Sequence, residues 1–201
     1  QWGVVEFHGW GARRPQLARP DRIVLDLDPD PALPWARVVE AALLARTLFE
    51  TIGLRPFVKT TGGKGLHVIA PIKPTCDWST VKGFSKALAV HLTRTFPDRF
   101  TANVAKSARE GRVFIDYLRN AVGATAVAAY SVRARPGAPV AMPLAWDELD
   151  PAEDVRGALR FDVRTVPQMI GERAGRRGPW AAYRRSAVGV KSAMQSRLNR
   201  K

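Results

Sequence analysis

Apolar and polar positions alternate along residues 23–28, with Ile23, Leu25 and Leu27 on one face and Val24, Asp26 and Asp28 on the other. This pattern predicts a strand, which Pro29, Pro31 and Pro34 then end. Weaker alternation over residues 3–8 predicts a short strand ending at His8, followed by a turn-rich basic loop to Pro20. Helical spacing takes over at residues 35–52, with Pro34 at the start, Val39, Ala42 and Leu43 on one stripe, and Gly53 as the stop. Residues 55–59 and 66–72 read as strands joined through the glycine-rich segment 60–65, a hairpin-like unit. A second helix is predicted over 78–95, where Trp78, Val81, Ser85, Leu88 and Leu92 recur at helical spacing and Asp77 is the N-cap.

Further along, a polar loop (103–111) leads into predicted strands at 112–118 and 126–133, and Pro136-Gly137-Ala138-Pro139 makes a sharp turn. Short helices are predicted near 146–149 and over 165–173, then a linker at 174–179. Residues 180–201 read as a basic, helical tail, which divides the chain into a core over 1–179 and an appendage over 180–201. Single strands and hairpins mixed with two long helices indicate an α+β fold with a largely antiparallel sheet.

At 201 residues the chain is long enough for one sizeable core. No run of about eighteen apolar residues marks a membrane span. Cys76 is the single cysteine, so neither a disulfide framework nor a thiolate metal cage can form, which suits a reducing compartment. With one Cys and 3 His there is no obvious zinc ligand set. The formal net charge of +14 favours a polyanionic partner.

Three groups of residues carry candidate chemistry. Asp26 and Asp28 project from the same face of a strand, about 6.6 Å apart by strand rise. Carboxylates that close repel unless a cation lies between them, and hard oxygen donors suit Mg²⁺ or Mn²⁺. The alternative is a pair of capping or turn aspartates ahead of the proline-rich loop. Asp116 interrupts the apolar stretch Val113-Phe114-Ile115, where an ionised side chain needs a metal or a partner such as Arg112 or Arg119. Three carboxylates on neighbouring strands suit two metal ions about 3.5–4 Å apart, an arrangement that serves in-line displacement of pyrophosphate.

Thr61-Gly62-Gly63-Lys64-Gly65-Leu66-His67 forms the second group. Its glycines let backbone N–H groups approach phosphate oxygens, and Thr61, Lys64 and His67 add donors. The order of residues is not that of a Walker loop. A flexible hairpin turn is the plainer account. His8, Arg119, Arg133 and Arg135 form the third group, each a surface charge on its own and together the lining of a triphosphate pocket.

Taken together, the stretches VEFHGW (5–10), PDRIVLDLDPDP (20–31), VKTTGGKGLHVIAPI (58–72), RVFIDYLRNAVGATAVAAYSVRARPGAPVAMPLAWDEL (112–149) and FDVRTVPQMI (161–170) resemble the primase-polymerase domain of bacterial ligase D. That family is part of the archaeo-eukaryotic primase superfamily. The resemblance implies an RRM-like antiparallel catalytic sheet and template-dependent nucleotidyl transfer to 3′ ends, in gap filling and end extension at broken DNA. It implies that Asp26, Asp28 and Asp116 ligate two Mn²⁺ or Mg²⁺ ions. His8, Thr61, Gly62, Gly63, Lys64, Gly65 and His67 would contact the incoming NTP or dNTP, while Arg119 and Arg133 clamp its phosphates. Thr61 stands where Ser is common, and the hydroxyl is kept. The partners it implies are gapped or broken DNA, nucleoside triphosphates, Ku and ligase domains or proteins, in the bacterial cytoplasm at the nucleoid. It also implies a further segment ahead of the stretch matching Gln1, bearing aromatic and basic residues that grip the base and a DNA 5′-phosphate. Two competing expectations are a non-catalytic DNA-end-bridging module and a haloacid-dehalogenase-type phosphatase. The latter also begins with strand-Asp-x-Asp, but Asp30 stands where it expects Thr or Val, and it needs a parallel sheet.

Overall fold

The structure, a computed structural model, describes residues 3–172, 175 and 177–190. Its centre is a six-stranded sheet. In chain order the strands that build it and its cover are β1 (His8–Trp10), β2 (Arg22–Pro29), β3 (Phe57–Thr60), β4 (Leu66–Pro71), β5 (Phe100–Thr101), β6 (Val113–Asp116), β7 (Thr125–Val127) and β8 (Pro143–Leu144). The large sheet runs β5-β6-β2-β4-β3-β8, and every pairing is antiparallel except β5 with β6. The α+β reading and its antiparallel sheet therefore hold, and the parallel sheet needed by a dehalogenase-type phosphatase is not present around β2.

The alternation in β2 sets the two faces of the sheet. Ile23, Leu25 and Leu27 are fully buried in the main core beneath α1 (Trp35–Thr51) and α2 (Trp78–Thr95). Pro34 occupies the N-cap of α1 in extended conformation, and Gly53 (φ 85°) turns the chain away after it. The buried stripe of α1 contains Val38, Val39, Ala42, Ala45 and Phe49, whereas Leu43, expected on that stripe, is exposed. In α2, Asp77 accepts the Thr80 N–H at 2.7 Å, the predicted cap, and the predicted stripe from Trp78 to Leu92 is buried.

Val24, Asp26 and Asp28 face the opposite side. There β1 and β7 form a separate two-stranded antiparallel sheet with His8 opposite Val127. The first strand thus begins at His8 rather than ending there, and the strand expected over 126–133 is confined to Thr125–Val127, with an isolated Val132–Val140 bridge beyond it. The short helices expected near 146–149 and over 165–173 are a 3-10 turn, Trp146–Glu148, and α3 (Thr165–Glu172).

The tail differs from expectation where it is described. Residues 180–190 contain one 3-10 turn, Arg184–Ser186, and pack against the sheet. Trp180 donates its indole N–H to the Val58 carbonyl at 3.0 Å and stacks on Tyr183, with Phe57 edge-on to both. Val188 bridges Ile72. An amphipathic aromatic pair burying one face and one N–H against β3 explains why this stretch adopts the path of a strap rather than a solvated helix. Residues 191–201 lie outside the described ones, as do parts of the expected linker.

Candidate functional site

Register across the sheet places four ionisable side chains in one row. Asp26 pairs with Asp116 of β6 on one side and with His67 of β4 on the other, and His67 pairs with Lys59 of β3. Because strand residues alternate, all four point to the face opposite the helices. Asp28 lies one step further along β2, beside the glycine-rich turn. The result is an open, polar pocket of about 360 Å³. Of the residues singled out in the sequence, His8, Asp26, Asp28, Thr61, Gly63, Lys64, Gly65, His67, Asp116, Arg119 and Arg133 all line it. Gly62 stands behind the turn, where a Cβ would come within 2.6 Å of Arg133 Cγ.

The turn is fixed by its own hydrogen bonds. Thr61 donates its hydroxyl to the Gly65 carbonyl at 3.1 Å and accepts the Gly63 N–H at 3.2 Å. Gly62 has φ 66°, which favours glycine. Gly65 has no room for a side chain, since a Cβ would lie 2.2 Å from the Leu27 carbonyl oxygen. This close approach holds Lys64 over β2, with Nζ 3.5 Å from Asp28 Oδ1. Arg133 donates to the Thr61 carbonyl and pairs with Glu6 at 2.7 Å, and Glu6 also faces His8 at 3.5 Å.

The carboxylates do not share one environment. Burial raises the Asp26 carboxyl, but His67 Nε2 at 3.4 Å and Arg119 Nε at 3.1 Å, one at each oxygen, reverse that and hold it below the ordinary carboxylate range. Burial first, and then the nearby Lys59, drive His67 down, against the pull of the Asp26 carboxylate. Asp116 is pushed up, first by burial and then by the Asp26 charge, against the Leu118 N–H that it accepts at 2.7 Å.

Hard carboxylate oxygens on adjacent strands are a fitting donor set for Mg²⁺ or Mn²⁺. Among the described residues, however, no three acidic, imidazole or thiol groups converge as a closed ligand cluster. Cationic side chains stand between the carboxylates instead: Arg119 reaches Asp26 and Asp116, while Lys64 and Arg109 reach Asp28. Each carboxylate already faces positive charge, which is the electrostatic setting a metal would share or take over.

Three residues escaped the sequence reading. Arg109, in the 3-10 turn Lys106–Arg109, pairs with Asp28 at 3.3 Å and lies 3.8 Å above the Phe114 ring. It sits in a stretch with no periodicity, and no pattern marked it. Lys59 is buried within β3, its ammonium donating to the Thr60 carbonyl at 3.2 Å. The argument used for Asp116, a charge inside an apolar strand, would have found it. Asn120 is buried beside β2, donating to the Val24 carbonyl and accepting the Val24 N–H, both at 2.8 Å. It satisfies the backbone of β2 where β6 has ended.

Comparison with known proteins gives a consistent result. Residues 1–180 match the family described as LigD, primase-polymerase domain. The multifunctional non-homologous end joining protein LigD of Pseudomonas aeruginosa is 48% identical over 200 residues, covering 100% of this chain and 23% of that protein. The bifunctional LigD of Bacillus subtilis is 32% identical over 153 residues, 76% of this chain and 24% of that protein. The chain thus spans about a quarter of the length of these relatives. A solved polymerase domain from Mycobacterium tuberculosis ligase D in complex with DNA superposes with a TM-score of 0.78 at 29% identity, over 91% of this chain and 64% of that one. On sequence, fold and coverage alike, this chain belongs to the LigD primase-polymerase domain family.

Proposed function

We propose that the chain transfers nucleotides to a polynucleotide 3′ end under template guidance, filling gaps and extending ends during non-homologous end joining. The observation that carries this reading is the in-register pair Asp26 and Asp116, with Asp28 beside it, opening into the same pocket as the glycine-rich turn and Arg119. Kinship with end-joining proteins, and with a polymerase domain solved on DNA, supports the substrate class.

The reaction forms a bond between the 3′-hydroxyl oxygen and the α-phosphorus while the bond to the β-phosphate bridge breaks, pyrophosphate leaves and the hydroxyl proton passes to solvent. Asp26, Asp28 and Asp116 would hold two divalent cations, Mn²⁺ or Mg²⁺, whose chemistry when bound is to make the hydroxyl acidic and to neutralise the leaving group. The backbone of Gly63 and Gly65, the Thr61 hydroxyl and Lys64 would cradle the triphosphate. Arg119 and Arg133 would add planar, bidentate donors to its oxygens. His67, buried beside Lys59, offers a ring N–H donor at the carboxylate row. His8 would face the sugar. Such a fixed donor set lowers the entropic cost of bringing hydroxyl and phosphate into line.

The test is extension of a labelled primer on gapped, 5′-phosphorylated DNA, with each ribo- and deoxyribonucleotide in turn and Mn²⁺ supplied. Addition of the nucleotide complementary to the template is the expected result. DNA binding without addition under any nucleotide would instead favour the end-bridging module.

A further inference from the structure

The outward face of β2 carries a second basic site at the end remote from Asp28. Arg22 lies on the same face as Asp26, four residues earlier, roughly 13 Å away by strand rise. Asp21, next to it, is buried and pairs with Arg22 Nε at 2.7 Å and with Arg13 Nε at 2.6 Å. One buried carboxylate thereby orients two guanidiniums while occupying mainly their Nε edges. Their outer nitrogens are left as donors. Arg184 joins them from the 3-10 turn of the strap, around a crevice of about 240 Å³. Arg14 and Arg19 line an adjoining crevice that shares Arg13 and Asp21. Asp21 is the one acidic side chain among the described residues lining either.

A second observation points to a ligand. Tyr183 belongs to the wall of the same crevice, and its hydroxyl is buried and has no hydrogen-bond partner among the described residues. Its electrostatic neighbours are Arg22, Asp21 and Arg13, and burial pushes its pKa up to about 12, so it remains a proton donor. A buried hydroxyl without an acceptor costs about 1–3 kcal/mol in a folded protein, a cost that an oxygen-rich anion between the guanidiniums would remove.

We propose that this crevice seats a phosphate of the polynucleotide backbone, gripped by Arg13, Arg22, Arg184 and Tyr183, as a non-catalytic subsite on the path of the DNA. The inference rests on the nucleotidyl-transfer reading given above. Distance selects a polynucleotide over a free nucleotide. Each strand of a duplex presents a phosphate about every 3.4 Å along its axis, so roughly 13 Å is about four nucleotide steps. DNA with its end at Asp26 has a phosphate within reach of Arg22, whereas a triphosphate bound at the glycine-rich turn does not extend that far.

The experiment measures binding of fluorescein-labelled gapped DNA by anisotropy across a salt series, for the full 201-residue chain. It compares the parent with Arg13→Gln/Arg184→Gln and with Tyr183→Phe, and follows nucleoside triphosphate binding in parallel. None of these residues lines the catalytic pocket, and Arg22 stays in place to pair with Asp21. Thermal melting identifies any variant that fails to fold, and Tyr183→Phe, which removes only an unpartnered oxygen, serves if the double variant does. The double variant is expected to bind DNA about tenfold more weakly at low salt and to lower the salt slope by about one to two. Tyr183→Phe is expected to weaken binding about threefold with the slope unchanged. Triphosphate binding stays at the parental value in both, and Arg13→Lys/Arg184→Lys restores the slope. Parental affinity and slope in a folded double variant, or equal loss of DNA and triphosphate binding, would overturn the subsite. A parent that binds DNA but never extends a primer overturns the proposed function and leaves the subsite standing. A parent that binds no DNA overturns both.

Discussion

Asp26 and Asp116 face each other directly across β2 and β6, and one guanidinium nitrogen, Arg119 Nε, reaches both, at 3.1 Å and 3.4 Å. Sheet register forces the two carboxylates together and Arg119 makes the pairing tolerable. The environments then separate them: Asp26, with positive and ring N–H groups at both oxygens, stays ionised readily, while Asp116, partly buried beside that charge, takes up a proton more easily. The site is thus built on a strain of like charges that the fold imposes and cations relieve.

That strain is held by the backbone of β2, and Asn120 secures it. Its amide closes both hydrogen bonds of Val24, two residues before Asp26. Asn120→Ala leaves a buried N–H and carbonyl without partners and is expected to destabilise the chain by about 2–4 kcal/mol. Denaturant unfolding measures this. A loss comparable to that of a surface substitution would mean that Val24 finds other partners.

The glycine-rich turn depends on close approach to β2. In Gly65→Ala the added methyl meets the Leu27 carbonyl, and the turn must move away from Asp28. A loss of about 1–3 kcal/mol is expected, together with weakened triphosphate binding. Gly83→Ala is the control, since a Cβ there meets nothing within 4 Å on α2 and is expected to gain up to about 1 kcal/mol. Unfolding curves of the two variants should shift in opposite directions.

Lys59 gives stability a pH dependence. Burial holds its ammonium down at about 7, against an ordinary value of 10.5. Between those values the unfolded chain binds more protons at this residue than the folded one, so its contribution to stability rises with pH from 7 to about 10 and is least favourable below 7. Lys59→Met is expected to flatten that rise and to be more stable than the parent at pH 7. Melting temperatures measured from pH 6 to about 10 decide the matter, and parallel curves for the two proteins would contradict the assignment.

Much of this was legible in the residues. The period-two pattern of β2 identified both its faces and set Asp26 and Asp28 on one of them, and a charge within an apolar strand pointed to Asp116. Local capping fixed α2, through Asp77. Non-local pairing was not legible: nothing local to Val113-Phe114-Ile115-Asp116 states that Asp116 lands opposite Asp26. The path of 180–190 was missed for the same reason, because Trp180 is anchored by a carbonyl 122 residues away, at Val58. The first strand was misplaced because residues 3–7 alternate without burial, and β1 exists only through its partner β7. Arg109 depends on a loop whose conformation no sequence period records.

The most direct measurement is single-turnover incorporation of a complementary nucleotide by the parent chain and by Asp26→Asn, with DNA affinity recorded for both. Asparagine keeps the size of the side chain and removes the charge at the centre of the row. The account predicts template-directed addition by the parent, loss of about a hundred- to a thousandfold in rate for Asp26→Asn, in line with removing one transition-state electrostatic group, and unchanged DNA binding. Addition by Asp26→Asn at the parental rate would contradict it.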